Sequence, residues 1–246
     1  MPQAVADETP TTQSAVATAC PRPAKRAVYR APGRGRTVAL TFDDGASPTT
    51  LQILAILEQY GVHATFFDTG EFDTKYPEVA AAIVAGGNTL GNHTYHHFRD
   101  WGLSGHLSRA VQRRELTATS VVQARVIGHA PCVMRPVGGA FDSAALRLAR
   151  SQGMSLVEWS VDTLDWQQPP TVTRVATRRI ISRAVSGARL QHPIILFHAG
   201  KASHERDCSR SGCRRGQVAS FRGNTVAALP AIIRFYRDRG YRFVTL

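Results

Sequence analysis

From Thr37 to the C-terminus, short apolar runs alternate with helix-length amphipathic stretches about seven times. No other feature restricts the fold as much, because strands separated by helices pair in parallel and need helices to cover the sheet. Residues 37–42 form the first such strand. Ser47 and Pro48 supply an N-cap and a first helical position for a helix carrying Leu51, Leu54 and Leu57, which Gly61 stops. Further strands are expected at 63–67, just before Gly91-Asn92-His93, and at 133–135, 154–161, 193–198 and 241–245. Helices are expected near 77–85, 107–126, 143–152, 171–185 and 225–239. The pattern predicts an α/β fold, a distorted (β/α) barrel of about seven parallel strands spanning 37–246. With 246 residues, 43% of them hydrophobic, one such core can be filled.

Residues 1–36 lack this pattern. They are rich in Pro, Ala and Thr and carry Arg22, Lys25, Arg26, Arg30, Arg34 and Arg36 without an acidic residue among them, so a flexible basic leader is expected. The N-terminus lacks the charged and apolar regions of a signal peptide, so either the protein stays inside or its signal has been removed; a flexible leader suits a trimmed secreted protein. No run of about 18 apolar residues is present, so no transmembrane segment is expected. A second basic group, Arg206, Arg210, Arg214, Arg215 and Arg222, falls in a long segment between Ala199 and Gly223, read as a surface loop near the site. The net charge of +12 favours anionic partners such as a cell wall, and no nucleic-acid-binding motif accompanies it. Four cysteines, Cys20, Cys132, Cys208 and Cys213, allow three pairings; Cys208 and Cys213 bracket a short polar loop that a disulfide would close.

The polar residues with chemical potential sit where strands end, and in barrels of this kind those ends form the active face. Thr41-Phe42-Asp43-Asp44-Gly45 places two carboxylates after a strand, one able to hold a metal while the other stays free as a base. His93-Thr94-Tyr95-His96-His97 puts imidazoles at i and i+4, on one face if the segment is a helical turn; His96 is the less favoured alternative ligand. One carboxylate and two histidines leave coordination positions open, as a catalytic metal requires. Arg135-Pro136-Val137-Gly138-Gly139 offers a guanidinium to pair with the free carboxylate and backbone N–H groups for an oxyanion. In Trp159-Ser160-Val161-Asp162-Thr163-Leu164-Asp165-Trp166, Trp166 suits a sugar face, and either Asp162 or Asp165 can orient a histidine. Ile194-Ile195-Leu196-Phe197-His198 ends an apolar strand in a candidate general acid. His63, His106, His129, His192 and His204 have no such context.

In order and spacing, these five segments resemble the motifs of the polysaccharide deacetylase family, also called the NodB-homology domain or carbohydrate esterase family 4. The resemblance runs from Thr37 to Leu246. It implies a metal-dependent hydrolase that removes acetyl groups from N-acetylglucosamine residues of peptidoglycan, chitin or chitooligosaccharide. Asp43 would be the base, with Asp44, His93 and His97 binding one divalent ion, Zn2+ first and Co2+ second. Arg135 would brace Asp43, and Asp165 would tune the general acid His198. Gly138, Trp166, Leu196 and Tyr95 would bind substrate. Two departures from the family pattern stand out: Val137-Gly138 replace the usual Pro-Tyr pair, which removes an aromatic wall and bears on groove shape, and Ala46 stands where the first motif usually continues with Pro. The competing readings are an O-acetyl (acetylxylan) esterase, a non-catalytic wall-binding relative and a non-haem iron oxygenase.

Overall fold

The computed structural model describes residues 20–202, 204–208, 217–218 and 221–246. Its centre is β1 (Thr37–Gly45), in which every residue is buried, acidic pair included. A strand buried on both faces reads as a continuous apolar run, and Val38, Ala39, Leu40 and Phe42 supply it. On one side β1 pairs in parallel with β2 (Thr65–Asp68), then β3 (Thr89–Asn92), β4 (Val133–Met134) and β5 (Ser155–Leu156). On the other it pairs with β7 (Ile194–His198), which pairs with β6 (Val161–Asp162). This makes seven parallel strands in a curled half-barrel. Two minor ladders are β8 (Arg206–Asp207) with β9 (Gln217–Val218), and β10 (Arg242–Phe243) against the start of β1. Phe42 stacks between Phe66 and Phe197, with centroids 5.0 and 5.4 Å away, tying the three central strands at one level.

The helices cover the sheet: α1 (Pro48–Gln59), α2 (Gly70–Lys75), α3 (Pro77–Ala85), α4 (Arg109–Ile127), α5 (Ser143–Ser151), α6 (Arg174–Ser186) and α7 (Gly223–Asp238). The predicted N-cap is present: Ser47 Oγ accepts the Thr49 N–H at 3.1 Å, and Thr50 completes a capping box. The short α2 lacks an apolar period and is invisible in the sequence. Asn224 and Thr225, at the start of α7, are buried and reach back to the loops above the sheet.

Two expectations need correction. Residues 154–161, read as one strand, split into β5 and β6, because the segment bends from the β4 edge across to the β7 edge. The exposed backbone at that bend recruits residues assigned to the flexible leader. Val28 donates to the Leu156 carbonyl at 2.9 Å and accepts from the Glu158 N–H at 2.8 Å, while Ala31 donates to the His192 carbonyl. Residues 20–36 therefore belong to the folded body, and Ala31 is buried. A Cys20–Cys132 disulfide fastens this segment across 112 residues of sequence, a cross-link worth about 4–5 kcal/mol in the chain-entropy account. The small ring expected between Cys208 and Cys213 involves Cys213, which lies outside the described residues, as do Arg210, Arg214 and Arg215.

Candidate active site

Because the strands are parallel, their C-terminal ends open on one face, where a cleft of about 480 Å³ is lined by groups from five strand ends. Asp44 and Asp43 close β1, and His93 and His97 follow β3. Gly138 follows β4, Trp166 follows β6, and Leu196 and His198 end β7.

Asp44, His93 and His97 converge so that one ligand atom of each lies within 4.8 Å of the others. Asp44 Oδ1 is 3.1 Å from His97 Nε2 and 3.5 Å from His93 Nε2, yet it is buried without a hydrogen bond. His93 Nδ1 lies 2.8 Å from the Arg135 carbonyl. A carbonyl only accepts, so Nδ1 carries the proton and Nε2 presents its lone pair to the trio. Burial pushes His93 below the ordinary imidazole pKa, outweighing the acidic pair, which favours the neutral, ligating form. Burial acts to raise Asp44, but His97, His198 and His93 together hold it well below the usual carboxylate range. An orphaned carboxylate oxygen facing two imidazole nitrogens fits a divalent cation of zinc-like preference.

These histidines do not share a helical turn. They come from a loop in which Thr94 and His97 take left-handed φ of 65° and 55°, as does Asp44 at 63°. Backbone strain of this kind persists when the surroundings enforce it. Here Asn92 Oδ1 accepts the Thr94 N–H at 2.8 Å, and Glu115 Oε2 accepts the N–H groups of Tyr95 and His96 at 3.1 and 2.7 Å. Glu115 Oε1 also takes His96 Nδ1 at 2.8 Å, and His96 is not among the converging ligand atoms. Sequence reasoning missed Glu115, a buried acid on an arginine-rich helix and the sole acidic residue of α4.

Beside the trio, Arg135 donates to Asp43 Oδ1 at 2.7 Å and to Thr41 Oγ1 at 2.8 Å. Its other nitrogens reach the carbonyls of Val157 and Glu158, and it lies over the Phe67 ring at 4.2 Å. The guanidinium is fully buried, so Asp43 is held in one orientation with its second oxygen, Oδ2, toward His93 at 3.8 Å.

On the opposite wall, Asp165 Oδ1 holds His198 Nδ1 at 2.8 Å. Asp165 Oδ2 accepts the His198 backbone N–H at 2.9 Å and the Thr225 hydroxyl at 2.7 Å. Burial acts to lower His198, but the Asp165 charge and hydrogen bond, with Asp44, raise it to about 9. Asp165 is correspondingly held down: burial would raise it, and His198 more than offsets this. Asp165 is thus the residue that orients the histidine, while Asp162 Oδ1 accepts the Leu164 N–H and braces the turn.

Of the substrate candidates, Gly138, Trp166 and Leu196 line the cleft. Tyr95 does not. Its ring packs over Gly70, whose absent side chain makes room for it, and its hydroxyl lies 3.4 Å from Thr74 Oγ1. The loop after β7 contributes instead: His204, Glu205, Arg206 and Gln217 line the same cleft, and the His204 ring is 6.0 Å from that of His97. Arg222, counted among surface charges, is buried with Nε on the Gly200 carbonyl at 2.8 Å.

Comparison with known proteins agrees with this geometry. The polysaccharide deacetylase family model matches residues 30–157. A peptidoglycan-N-acetylglucosamine deacetylase of Bacillus cereus is 32% identical over 219 residues, covering 89% of this chain and 70% of the relative. A chitooligosaccharide deacetylase of Bradyrhizobium is 33% identical, covering 84% of this chain and 87% of the relative. The crystal structure of a peptidoglycan N-acetylglucosamine deacetylase bound to 4-naphthalen-1-yl-N-oxidanyl-benzamide superposes with a TM-score of 0.70 at 32% identity, covering 89% of this chain and 90% of that one. A family 4 carbohydrate esterase from Streptomyces lividans, in complex with acetate, gives 0.65 at 28% identity over 84% and 90%. With the family model spanning half the chain and these relatives matching nearly all of the described body, the chain belongs to the polysaccharide deacetylase family.

Proposed function

We propose that this protein hydrolyses the acetamido group of N-acetylglucosamine residues in a glycan, peptidoglycan or a chitooligosaccharide, and releases acetate. One observation carries the reading. A braced carboxylate, a three-ligand cation site and a histidine with a raised pKa face one another across a single cleft. Amide hydrolysis needs these three things: a base, an electrophile for the carbonyl oxygen, and an acid for the amine.

Asp44, His93 and His97 would hold one divalent ion, zinc by ligand preference and cobalt as an alternative. Bound there, such an ion supplies Lewis acidity that lowers the pKa of water and polarises an acetyl carbonyl. Asp43, kept in place by Arg135, accepts a proton from the attacking water as the new C–O bond forms. The Gly138 backbone, on the cleft wall, offers an N–H to the tetrahedral oxyanion. His198, protonated through Asp165, gives its proton to the leaving nitrogen as the C–N bond breaks. Leu196 and Trp166 are suited to the acetyl methyl and a sugar face.

The Cys20–Cys132 disulfide supports action in an oxidising compartment, outside the cytoplasm. The net charge of +12 supports attraction to an anionic wall, to be weakened by salt. No described helix is long and apolar enough to cross a membrane. The test is acetate release from chitooligosaccharides, purified glycan strands of peptidoglycan and acetylxylan, each with zinc, with cobalt and with a chelator. Cation-dependent acetate from an N-acetylated substrate, lost in Asp43→Asn, is expected. Acetate from acetylxylan alone would replace the reading with an esterase.

A further inference from the structure

His204, in the turn that follows β7, has no part in the mechanism above. It lines the catalytic cleft and is exposed, and its ring centroid lies 6.0 Å from that of His97, with the planes 37° apart. The ligand pair supplies a ruler for that distance. The His93 and His97 centroids are 5.1 Å apart. Two imidazole nitrogens held at about 2.0–2.1 Å by one tetrahedral ion put their ring centroids about 5 Å apart. His204 is thus only about 1 Å farther from His97 than a shared ion requires, a gap that rotation of an exposed side chain closes.

The fold builds this position. The Ala199 N–H donates to the Asp43 carbonyl at 2.7 Å. Gly200 packs on the Asp44 carbonyl so closely that a Cβ would come within 2.3 Å of it, and the Gly200 carbonyl is held by the buried Arg222. Beyond it the turn closes on itself. Lys201 Nζ donates to the Glu205 carbonyl at 2.7 Å, and the Ala202 N–H to Glu205 Oε2 at 3.1 Å. The backbone that presents Asp44 therefore also seats the turn that presents His204. Asp44, His93 and His97 leave a position open on a tetrahedral ion, and imidazole is a ligand that zinc-like cations accept.

We propose that His204 is a displaceable fourth ligand of the cation held by Asp44, His93 and His97: it binds the ion in the free enzyme and yields its place when substrate enters. The inference rests on the reading of that trio as a cation site. Its consequences differ from those of a sugar contact. A fourth ligand tightens the hold on the ion, whereas its removal leaves the base, the acid and the three buried ligands in place.

The test uses the full chain loaded with Co2+. X-ray absorption at the cobalt edge should count three imidazoles in wild type and two in His204→Ala. The visible bands of four-coordinate cobalt should give way in the variant to the weaker bands of higher coordination, as water takes the vacated place. The Kd for Co2+, from competition with a chromophoric chelator, should rise by about 10-fold or more. Because His204 is exposed, the Tm of the cation-free protein should stay unchanged. Two imidazoles and equal Kd in both proteins would overturn the proposal, even if KM for a chitooligosaccharide rose, since that pattern belongs to a sugar contact. Wild-type protein that binds no cobalt would overturn the cation reading and this inference together, whereas bound cobalt with two imidazoles overturns this inference alone.

Discussion

His93, buried, and His198, half-buried, sit at the mouth of the same half-barrel, and the protein drives them in opposite directions. His93 gives its Nδ1 proton to a neutral carbonyl, that of Arg135, and burial pulls its pKa down. His198 gives the equivalent proton to a carboxylate, Asp165, and is raised to about 9. The same side chain becomes a lone-pair donor on one wall and a proton donor on the other, according to whether its outer nitrogen meets a dipole or a charge. On the proposed reading, the division of labour between the two walls follows from the partners of the histidines.

The largest expected break lies on the His93 wall. Asp44→Ala removes the only carboxylate among the three converging ligand atoms. Loss of an outer partner of a ligand costs about 10- to 100-fold in metal affinity, so loss of a ligand should cost more than about 100-fold. Elemental analysis should find the variant without stoichiometric metal, and acetate release should fall to background. On the other wall, His198→Ala should lower kcat by about 10²–10⁴-fold while metal content stays at one per chain. A His198→Ala protein that loses its metal would mean that the two walls are not separable.

Asp165→Asn tests the cause of the difference with a smaller effect. Without the carboxylate His198 loses the largest influences that raise it, while burial and Arg222 still act to lower it against Asp44 alone. Its pKa therefore falls, and the alkaline limb of kcat moves down by at least about 1 pH unit. A bound cation shifts both proteins in the same sense and leaves the difference in place. Stability carries the same signature. The folded-state pKa of about 9 lies above the ordinary 6.5, so the pair's contribution is complete below pH 6.5 and disappears as pH rises through about 9. The Tm gap between wild type and Asp165→Asn should be widest in acid and narrow above that range.

The division between the two walls is only partly legible in the sequence. Positions at strand ends follow from the alternation of strands and helices, which is why Asp43, Asp44, Arg135 and His198 can be assigned to one face from the amino-acid pattern alone. The i, i+4 spacing of His93 and His97 suggests a helix, but the two converge through left-handed backbone at Thr94 and His97. That conformation depends on Glu115, a partner on α4 that no local pattern ties to the loop. Tyr95 resembles a substrate contact because it lies between His93 and His97, whereas successive side chains in this loop point to different neighbours. Val28 has the look of a leader residue because its role is set by the bend between β5 and β6, more than a hundred residues away. Short-range periodicity announces elements. It does not announce which distant backbone or carboxylate they will lean on.

The finest test of the comparison is Thr225, whose hydroxyl donates to Asp165 Oδ2 at 2.7 Å in a buried setting. Thr225→Val keeps the volume and deletes the donor, leaving that oxygen only the His198 backbone N–H. A hydrogen bond to a charged acceptor is worth about 1.5–3 kcal/mol, so stability measured by denaturant unfolding should fall by that order. The effect on His198 has the opposite sign to that of Asp165→Asn. A carboxylate deprived of a donor has a higher affinity for protons and holds the imidazolium more tightly, so the alkaline limb of kcat should move up by a few tenths of a pH unit. A downward shift would mean that Thr225 acts by positioning Asp165, since a displaced carboxylate would release His198 from the largest influence that raises it.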